Sequence, residues 1–410
     1  SQLIVELPAS SAESHEARVT NALGMNTGSA VLKTLAPQTY TAAAIDQSGF
    51  AVSLIYDAER RALLLVNRNG GSNSLKRIAF NGSTWTGTPL IAADLWDVGL
   101  SQDGTTLLAA MTAGELRLLD PVTAAERSLI ALGSAMSEDR EWFLSKGLSV
   151  TSDAQVLLPL DASPGSPFKD LKRVDLRTGT VSYVNQASGY VFFYRGPLFG
   201  GPRDGSRFMG RQNSGVSSVE EIYYAVKYDA ANGALSTTSK IHSPFDLRFA
   251  DDGRLALISL DRVVDAGDDL HGLVRLPAAD QADWLTVAGQ IAPDGSRVYL
   301  LAYPKRGNAD SAASGIKPRV YVLDSSTASA DPAGLPVLGY FEIDQYPSGC
   351  VSGNYPYSCW NGLASTISAD GNTLFFSGSL RTLVVPIAGT LIQPQASVRR
   401  AATWRFGAQR

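Results

Sequence analysis

The sequence predicts an all-β fold that is built from a repeated unit, on three grounds. The chain has 410 residues, which is too long for one ordinary hydrophobic core. Its 38 glycines, together with frequent Ser and Thr, favour many turns and short strands over long helices. A short apolar run, an Asp-Gly or similar turn, and a second apolar run recur along the chain. A pair of α/β domains is the alternative, but only one modest helix candidate occurs, around residues 134–147.

The recurring turns mark the first hairpin of each unit. Asp-Gly between two apolar runs is a strong hairpin signal, because Gly adopts positive φ at little cost. The turn aspartates lie 42 to 51 residues apart, with one last gap of 76, at Asp57, Asp103, Asp153, Asp204, Asp252, Asp294 and Asp370. We therefore expect these seven carboxylates to serve the turns rather than a ligand.

Two further strands are expected in most units. The third-strand candidates mostly alternate polar with apolar residues, as a half-buried strand does; they are SLKRIAF, ELRLLD, LKRVDL, IYYAVKYD, GLVRLP, RVYVLD and TLVVPI. A weaker fourth run follows, for example RSLIAL or VLGYFEI. Four antiparallel strands every ~40–50 residues are the signature of β-propeller blades. Seven turns thus predict a seven-bladed β-propeller.

The repeat resembles that of the bacterial WD40-like, YVTN and TolB-type propellers. The residues that carry the resemblance are APDGSRVYLLAY with RVYVLDSST, and SADGNTLFFSG. It covers roughly residues 40 to 390 and implies the fold rather than a function, since such propellers serve as scaffolds, binders and enzymes. The Trp-Asp dipeptide of eukaryotic WD40 repeats is missing from the third strands, which disfavours a signalling hub of that kind.

The last unit lacks an outer strand of its own. Residues 30–36, AVLKTLA, are expected to pair with residues 381–387, so that an N-terminal strand closes the ring and protects its edges. Residues 391–399 are the alternative outer strand. The predicted divisions are an N-terminal extension, the propeller, and a C-terminal extension or outer strand, at residues 1–29, 30–390 and 391–410.

Composition and the two cysteines restrict the function. With 44% hydrophobic and 18% charged residues the chain is not expected to be disordered. A net charge of −4 gives no support for a nucleic-acid partner, and no apolar run approaches the ~20 residues of a membrane helix. Cys350 and Cys359 close a short loop and predict a disulfide, which favours a secreted, periplasmic or cell-surface location. Two free thiols in a cytosolic protein are the alternative.

Long connections predict a binding face. In a propeller, the loops from strand two to strand three and from blade to blade lie at one end of the sheets. This end, the long-loop face, is predicted to carry residues 185–197, 260–271, 303–318 and 344–362, and functional loops gather on such faces. The candidate ligand-binding residues are Tyr346, Tyr355, Tyr357, Trp360, Tyr194 and Arg195. The alternative is that these aromatic rings pack under their own loops.

Cofactor and catalytic signals are weak. The acidic run with Asp265, Asp268 and Asp269 is a weak Ca²⁺ candidate, with a solvated acidic turn as the alternative. There are three histidines and no HExxH, GxSxG or GxxxxGK[ST] motif. The sequence therefore predicts a binding module for a protein or glycan, without a required cofactor, either complete or part of a larger surface protein. A propeller enzyme of lactonase, lyase or glycoside hydrolase type at the central channel mouth, and a structural spacer, are the alternatives.

Overall fold

The computed structural model describes residues 14–20, 26–33, 39–69, 72–101, 103–136, 148–161, 168–183, 193–194, 199–203, 205–213, 223–229, 233–240, 247–267, 269–305, 315–348 and 363–394. The described residues contain strands and no helix, and so no helix long and apolar enough to cross a membrane. The strands are β1 (Ser14–Thr20), β2 (Asn26–Lys33), β3 (Ala43–Asp46), β4 (Phe50–Asp57), β5 (Ala62–Asn69), β6 (Ser72–Phe80), β7 (Trp85–Leu100), β8 (Leu107–Met111), β9 (Glu115–Leu119), β10 (Glu126–Ala131), β11 (Gln155–Asp161), β12 (Phe168–Asp175), β13 (Thr180–Tyr183), β14 (Phe193–Tyr194), β15 (Phe199–Gly200), β16 (Arg207–Asn213), β17 (Tyr223–Asp229), β18 (Ala234–Lys240), β19 (Leu247–Phe249), β20 (Leu255–Ile258), β21 (Arg262–Asp265), β22 (Leu270–Leu273), β23 (Trp284–Ile291), β24 (Arg297–Pro304), β25 (Arg319–Asp324), β26 (Val337–Glu342), β27 (Ala364–Ile367), β28 (Thr373–Ser377) and β29 (Arg381–Pro386).

The strands form a succession of antiparallel sheets. β1 and β2 make a separate hairpin, and β4 to β10 make one seven-stranded sheet in chain order. Five four-stranded sheets follow: β11 to β14, β15 to β18, β19 to β22, β23 to β26, and β27-β28-β29-β3. The predicted all-β class with short antiparallel strands is confirmed.

A single long strand joins the first two repeat units. β7 pairs with β6 from Trp85 onward and with β8 as far as Leu100. Asp94 has a φ of 62°, and the register with β8 shifts between Leu95 and Asp97, so the strand bends where it leaves one unit for the next. The outer strand of unit one and the inner strand of unit two are therefore continuous, where the sequence predicts two strands.

The hydrophobic core lies between neighbouring sheets. One cluster joins Leu257 of β20 to Ile291 and Tyr321 of the next sheet, and similar clusters join other neighbours. The first sheet also packs against the last, because Leu63 and Phe375 belong to one buried cluster. Face-to-face packing of twisted sheets is what the alternation of apolar residues predicts.

An N-terminal strand completes the last sheet, but it is β3 and not residues 30–36. β3 pairs with β29, with Asp46 opposite Arg381 and Ala43 opposite Val384. Residues 30–33 lie instead in β2, opposite β1. Of the alternative segment, 391–399, the structure describes residues 391–394, and there Ile392 exchanges backbone hydrogen bonds of 2.7 and 2.9 Å with Tyr340 of the preceding sheet.

Side chains around β3 explain this choice. Tyr40 is 3% exposed in the cluster between the first and last sheets. The Gln47 side-chain oxygen accepts hydrogen bonds of 3.2 Å from Ser377 and Thr382. Tyr40 before β3 and Gln47 after it therefore hold this short strand beside β29. Residues 30–36 have a more apolar sequence, but among the described residues they do not lie between two such contacts.

The turn aspartates act as the sequence predicts. In four of the first hairpin turns the carboxylate accepts the backbone N–H two residues ahead, at 2.9 to 3.1 Å, in Asp103, Asp252, Asp294 and Asp370. The following glycines have φ values of 66° to 74°, in Gly104, Gly253, Gly295 and Gly371. These carboxylates stabilise tight hairpins, and we call this end of the sheets the Asp-Gly end. Asp204 lies outside the described residues.

Candidate functional site

Two of the long connections lie at the end of the sheets opposite the Asp-Gly turns, although short connections occur there too and residues 325–336 form a long one at the Asp-Gly end. At the Asp-Gly end, residues 292–296 suffice to join β23 to β24. At the opposite end, residues 305–318 join β24 to β25 and residues 343–363 join β26 to β27. This confirms two of the long connections that define the long-loop face.

The acidic run near residue 265 lies at the other end from the one predicted. β20 and β21 are joined by residues 259–261, with Ser259 and Leu260 at φ values of 54° and 60°. The turn between Asp265 and Asp269 follows β21 and therefore lies at the Asp-Gly end. The sequence did not indicate the tight turn at 259–261, because no Gly, Asn or Asp occupies its left-handed positions.

The side chain of Asp265 serves its own turn. Its Oδ1 accepts the backbone N–H groups of Gly267 at 2.8 Å and Asp269 at 3.0 Å. Asp268 lies outside the described residues. Within the described ranges, no group of three or more His, Cys, Asp or Glu side chains is placed to hold a metal ion. The arrangement is that of a hydrogen-bonded acidic turn.

Of the predicted ligand-binding residues, Tyr346 is the one whose side chain is described. It is half-buried: its hydroxyl donates to the Ile316 carbonyl at 2.8 Å, and its ring meets Tyr303 edge-on at 5.1 Å. Burial raises the pKa of Tyr346. The ring thus fastens the segment before β25 to the segment after β26 while part of it faces solvent.

The remaining predicted site residues are not brought together by the described structure. Tyr194 lies in β14, where its backbone pairs opposite Phe168 of β12. The others lie outside the described residues, namely Arg195, Tyr355, Tyr357, Trp360 and the predicted disulfide partners Cys350 and Cys359. Their assignment as ligand-binding or bonded residues stays a prediction.

Exposed apolar side chains occur at this end of the sheets. Ile316, Leu380 and Phe50 are 44%, 44% and 55% exposed. Two of them lie beside Tyr346: the Pro347 carbonyl accepts the Leu380 N–H at 3.1 Å, and the Ile316 carbonyl accepts from the Tyr346 hydroxyl. Phe50 begins β4 at the same end of the sheets. We call these three residues with Tyr346 the apolar row. The sequence did not indicate the apolar row, because its members lie far apart along the chain.

A cavity occupies the space between the first strands of the repeat units, toward the Asp-Gly end. Its volume is about 420 Å³. Its wall takes residues from near each of the seven recurring turns of the sequence, among them Tyr56, Leu100, Val150, Gly200, Arg248, Gln290 and Ser365. The sequence could not indicate this wall, since its residues are spread over the whole chain.

Polar groups from three units meet on the cavity wall. Ser365 accepts hydrogen bonds from Gln290 Nε2 at 3.1 Å and from Arg248 Nη2 at 3.5 Å. Its hydroxyl donates to the Gly289 carbonyl at 3.1 Å. Gln290 and Ser365 are 5% and 2% exposed, so this network is fixed by burial.

Comparison with known proteins supports the architecture. No protein-family profile matches the chain, and no curated protein matches it. Among solved structures, the crystal structure of the Myceliophteria thermophila Cps50 (Swd1) beta-propeller domain is similar. Its TM-score is 0.52 at 11% identity, over 84% of this chain and 98% of that one. The chain has a β-propeller fold. The comparison does not distinguish bacterial YVTN or TolB-type repeats from other propeller repeats.

Proposed function

We propose that the protein is a closed seven-bladed β-propeller that acts as a binding module through its long-loop face. Two observations support the closed ring. The cavity wall takes a residue from each of seven units, and β3 joins the first unit to the last sheet. Unit three then has its inner strand at residues 148–151, where Val150 bridges to Val156 of β11.

The apolar row carries the proposal for the binding face. Exposed apolar side chains scattered singly are ordinary, but those that gather on one face favour a protein interface. The first hairpin turns of the Asp-Gly end are short and chemically similar, so they offer little shape to recognise. The long connections differ from one another in length and composition, which suits specific recognition.

We propose a protein partner, with a glycan as the alternative ligand. Tyr355, Tyr357 and Trp360 would extend the apolar row through the connection 343–363. A Cys350–Cys359 disulfide would order that connection, in a secreted, periplasmic or cell-surface protein. No cofactor is required, and Ca²⁺ dependence is tested as part of the binding experiment.

The test is a peptide and glycan array screen of the purified chain, with and without Ca²⁺. The double variant Ile316→Ser with Leu380→Ser should weaken binding about tenfold or more, because it removes two exposed apolar contacts. Val122→Ser is the matched control, since Val122 is 45% exposed at the Asp-Gly end. Equal binding by the double variant and the control, with unchanged melting temperatures, would contradict the assignment.

A propeller enzyme is the second candidate, and the cavity is the observation that favours it. Its lining includes the carboxylates of Asp57 and Asp103. Both serve local structure: Asp57 forms an ion pair of 3.1 Å with Arg60, and Asp103 accepts the Thr105 N–H. Lactonase, lyase and glycoside hydrolase substrates should therefore show no turnover, and turnover abolished by Asp57→Asn would favour the enzyme instead.

A further inference from the structure

The cavity between the first strands has the size and setting of a small-molecule site. A volume of about 420 Å³ falls within the range of pockets that enclose small ligands, roughly 300–1,000 Å³. It extends to the Asp-Gly end, where the turn residues Asp57, Asp103 and Ala369 line it. The long-loop face lies at the other end, so this site is independent of the binding function proposed above.

Arg248 lies deeper in the cavity than the turn residues. It precedes Asp252 of its hairpin turn by four positions, and Gln290 precedes Asp294 by the same number. At about 3.3 Å per strand residue, these side chains begin roughly 13 Å in from the turns. A charged group at this depth lies where solvent screens it less than at the rim.

Two neighbouring oxygens contact the guanidinium: Ser365 Oγ lies 3.5 Å from Nη2 and the Leu247 carbonyl 3.4 Å from Nη1. The Ser365 hydroxyl has one donor and two acceptor positions. It uses the donor on Gly289 and the acceptors for Gln290 and Arg248. Ser365 therefore orients Gln290 and contacts Arg248 more weakly, and a ligand would meet a Gln290 donor that is already positioned.

The wall beside these donors is mixed, and apolar side chains form part of it. Ile55, Phe249 and Ile367 line the cavity and are half-buried, so part of each side chain faces the cavity or its opening. Acidic residues of the rim have partners of their own: Glu59 lies 3.5 Å from Arg60, and Asp251 lies 3.8 Å from Arg203.

We propose that this cavity binds a small organic carboxylate with a compact apolar body. The planar guanidinium of Arg248 matches a carboxylate in a bidentate manner, and the Gln290 amide adds a neutral donor beside it. Ile55, Phe249 and Ile367 provide the surface for the apolar body. A carboxylate is favoured over a larger phosphorylated molecule, because Arg203 at the rim is paired with Asp251 and leaves Arg248 as the guanidinium that faces a single charge.

The test uses ligand-observed NMR titration of the full chain with benzoate and phenylacetate. Benzamide, which is neutral and similar in shape, and inorganic phosphate serve as comparison probes. Benzoate or phenylacetate should bind with a millimolar dissociation constant or better, and benzamide about tenfold more weakly. Failure of both carboxylates to bind at about 10 mM, equal binding of benzamide, or preferential binding of phosphate would overturn the proposal.

Paired arginine variants locate the site. Arg248→Met should weaken carboxylate binding about tenfold, because it removes charge-assisted hydrogen bonds. Arg254→Met is the matched control: Arg254 follows in the same hairpin, but its side chain is 72% exposed beside Asp252. If Arg248→Met does not fold, Arg248→Lys keeps the charge without the planar fork and should still lose affinity several-fold. Unchanged affinity in a folded Arg248 variant would refute the site.

Discussion

The N-terminal segment with β3 should determine whether the last blade is stable. Two truncated chains separate this role from that of the β1–β2 hairpin. A chain that begins at residue 39 loses the hairpin and keeps Tyr40, β3 and Gln47. A chain that begins at residue 48 loses them all. Because β1 and β2 pair with each other and with no other described strand, the first truncation should melt like the full chain.

The contacts of the segment set the size of the effect. The Tyr40 ring meets Phe80 and Trp85 at 5.1 Å and Phe375 at 5.9 Å, and losing so buried an aromatic side chain costs about 3–5 kcal/mol. The hydrogen bonds of β3 and Gln47 add about 1 kcal/mol each. The total approaches the whole stability of a typical domain, about 5–15 kcal/mol.

Circular dichroism during thermal and denaturant unfolding is the assay. The chain that begins at residue 48 should lose its cooperative transition or melt far below the chain that begins at residue 39. Tyr40→Phe isolates the 2.8 Å contact between the Tyr40 and Tyr56 hydroxyls and should cost about 1 kcal/mol. If the two truncated chains melt within a few degrees of each other, β3 is not the closing strand and our account of the last sheet fails.

Two further predictions concern the turns. Gly295→Ala should destabilise the fold by about 1–2 kcal/mol, because φ is +74° and the added Cβ would lie 3.2 Å from Leu255. Gly389→Ala, with no atom within 4 Å, should be nearly neutral in the same denaturant titration, and equal effects would refute the strain argument. Backbone N–H groups that follow Asp120 lower its pKa to about 2, below an unfolded value of about 3.9, so its contribution is present above pH 4 and is lost as the pH falls toward 2. Melting temperatures of wild type and Asp120→Asn should therefore differ at pH 7 and converge near pH 2, and a constant difference would count against this.

The turn chemistry could be predicted from sequence because it is local. The carboxylate of Asp294 and the N–H it accepts, that of Ser296, are two residues apart, and the left-handed φ falls on the intervening Gly295. A four-residue window therefore contains both the cause and its effect. The tight turn at residues 259–261 escaped prediction, because tertiary packing holds Ser259 and Leu260 at positive φ without the usual turn residues.

The strands and sites that depend on distant partners could not be predicted. β3 has the sequence AAID, which carries little strand preference, and its position depends on β29 and on the anchors Tyr40 and Gln47. The hydrogen bonds on the cavity wall could not be predicted for the same reason, since Arg248 and Ser365 are 117 residues apart. A pattern that lies within one segment of sequence does not contain such pairings.

The pairing of β3 with β29 also affects how the protein is made. The Gln47 and Thr382 side chains that meet there are 335 residues apart in sequence. At about 5–20 residues per second, a ribosome takes roughly 20–70 s to synthesise the chain between them. Throughout that time the early strands have emerged, while the first sheet lacks the last sheet that covers one of its faces. A nascent chain of this kind exposes apolar surface until its final blade is translated, so it should depend on chaperones more than its native stability indicates.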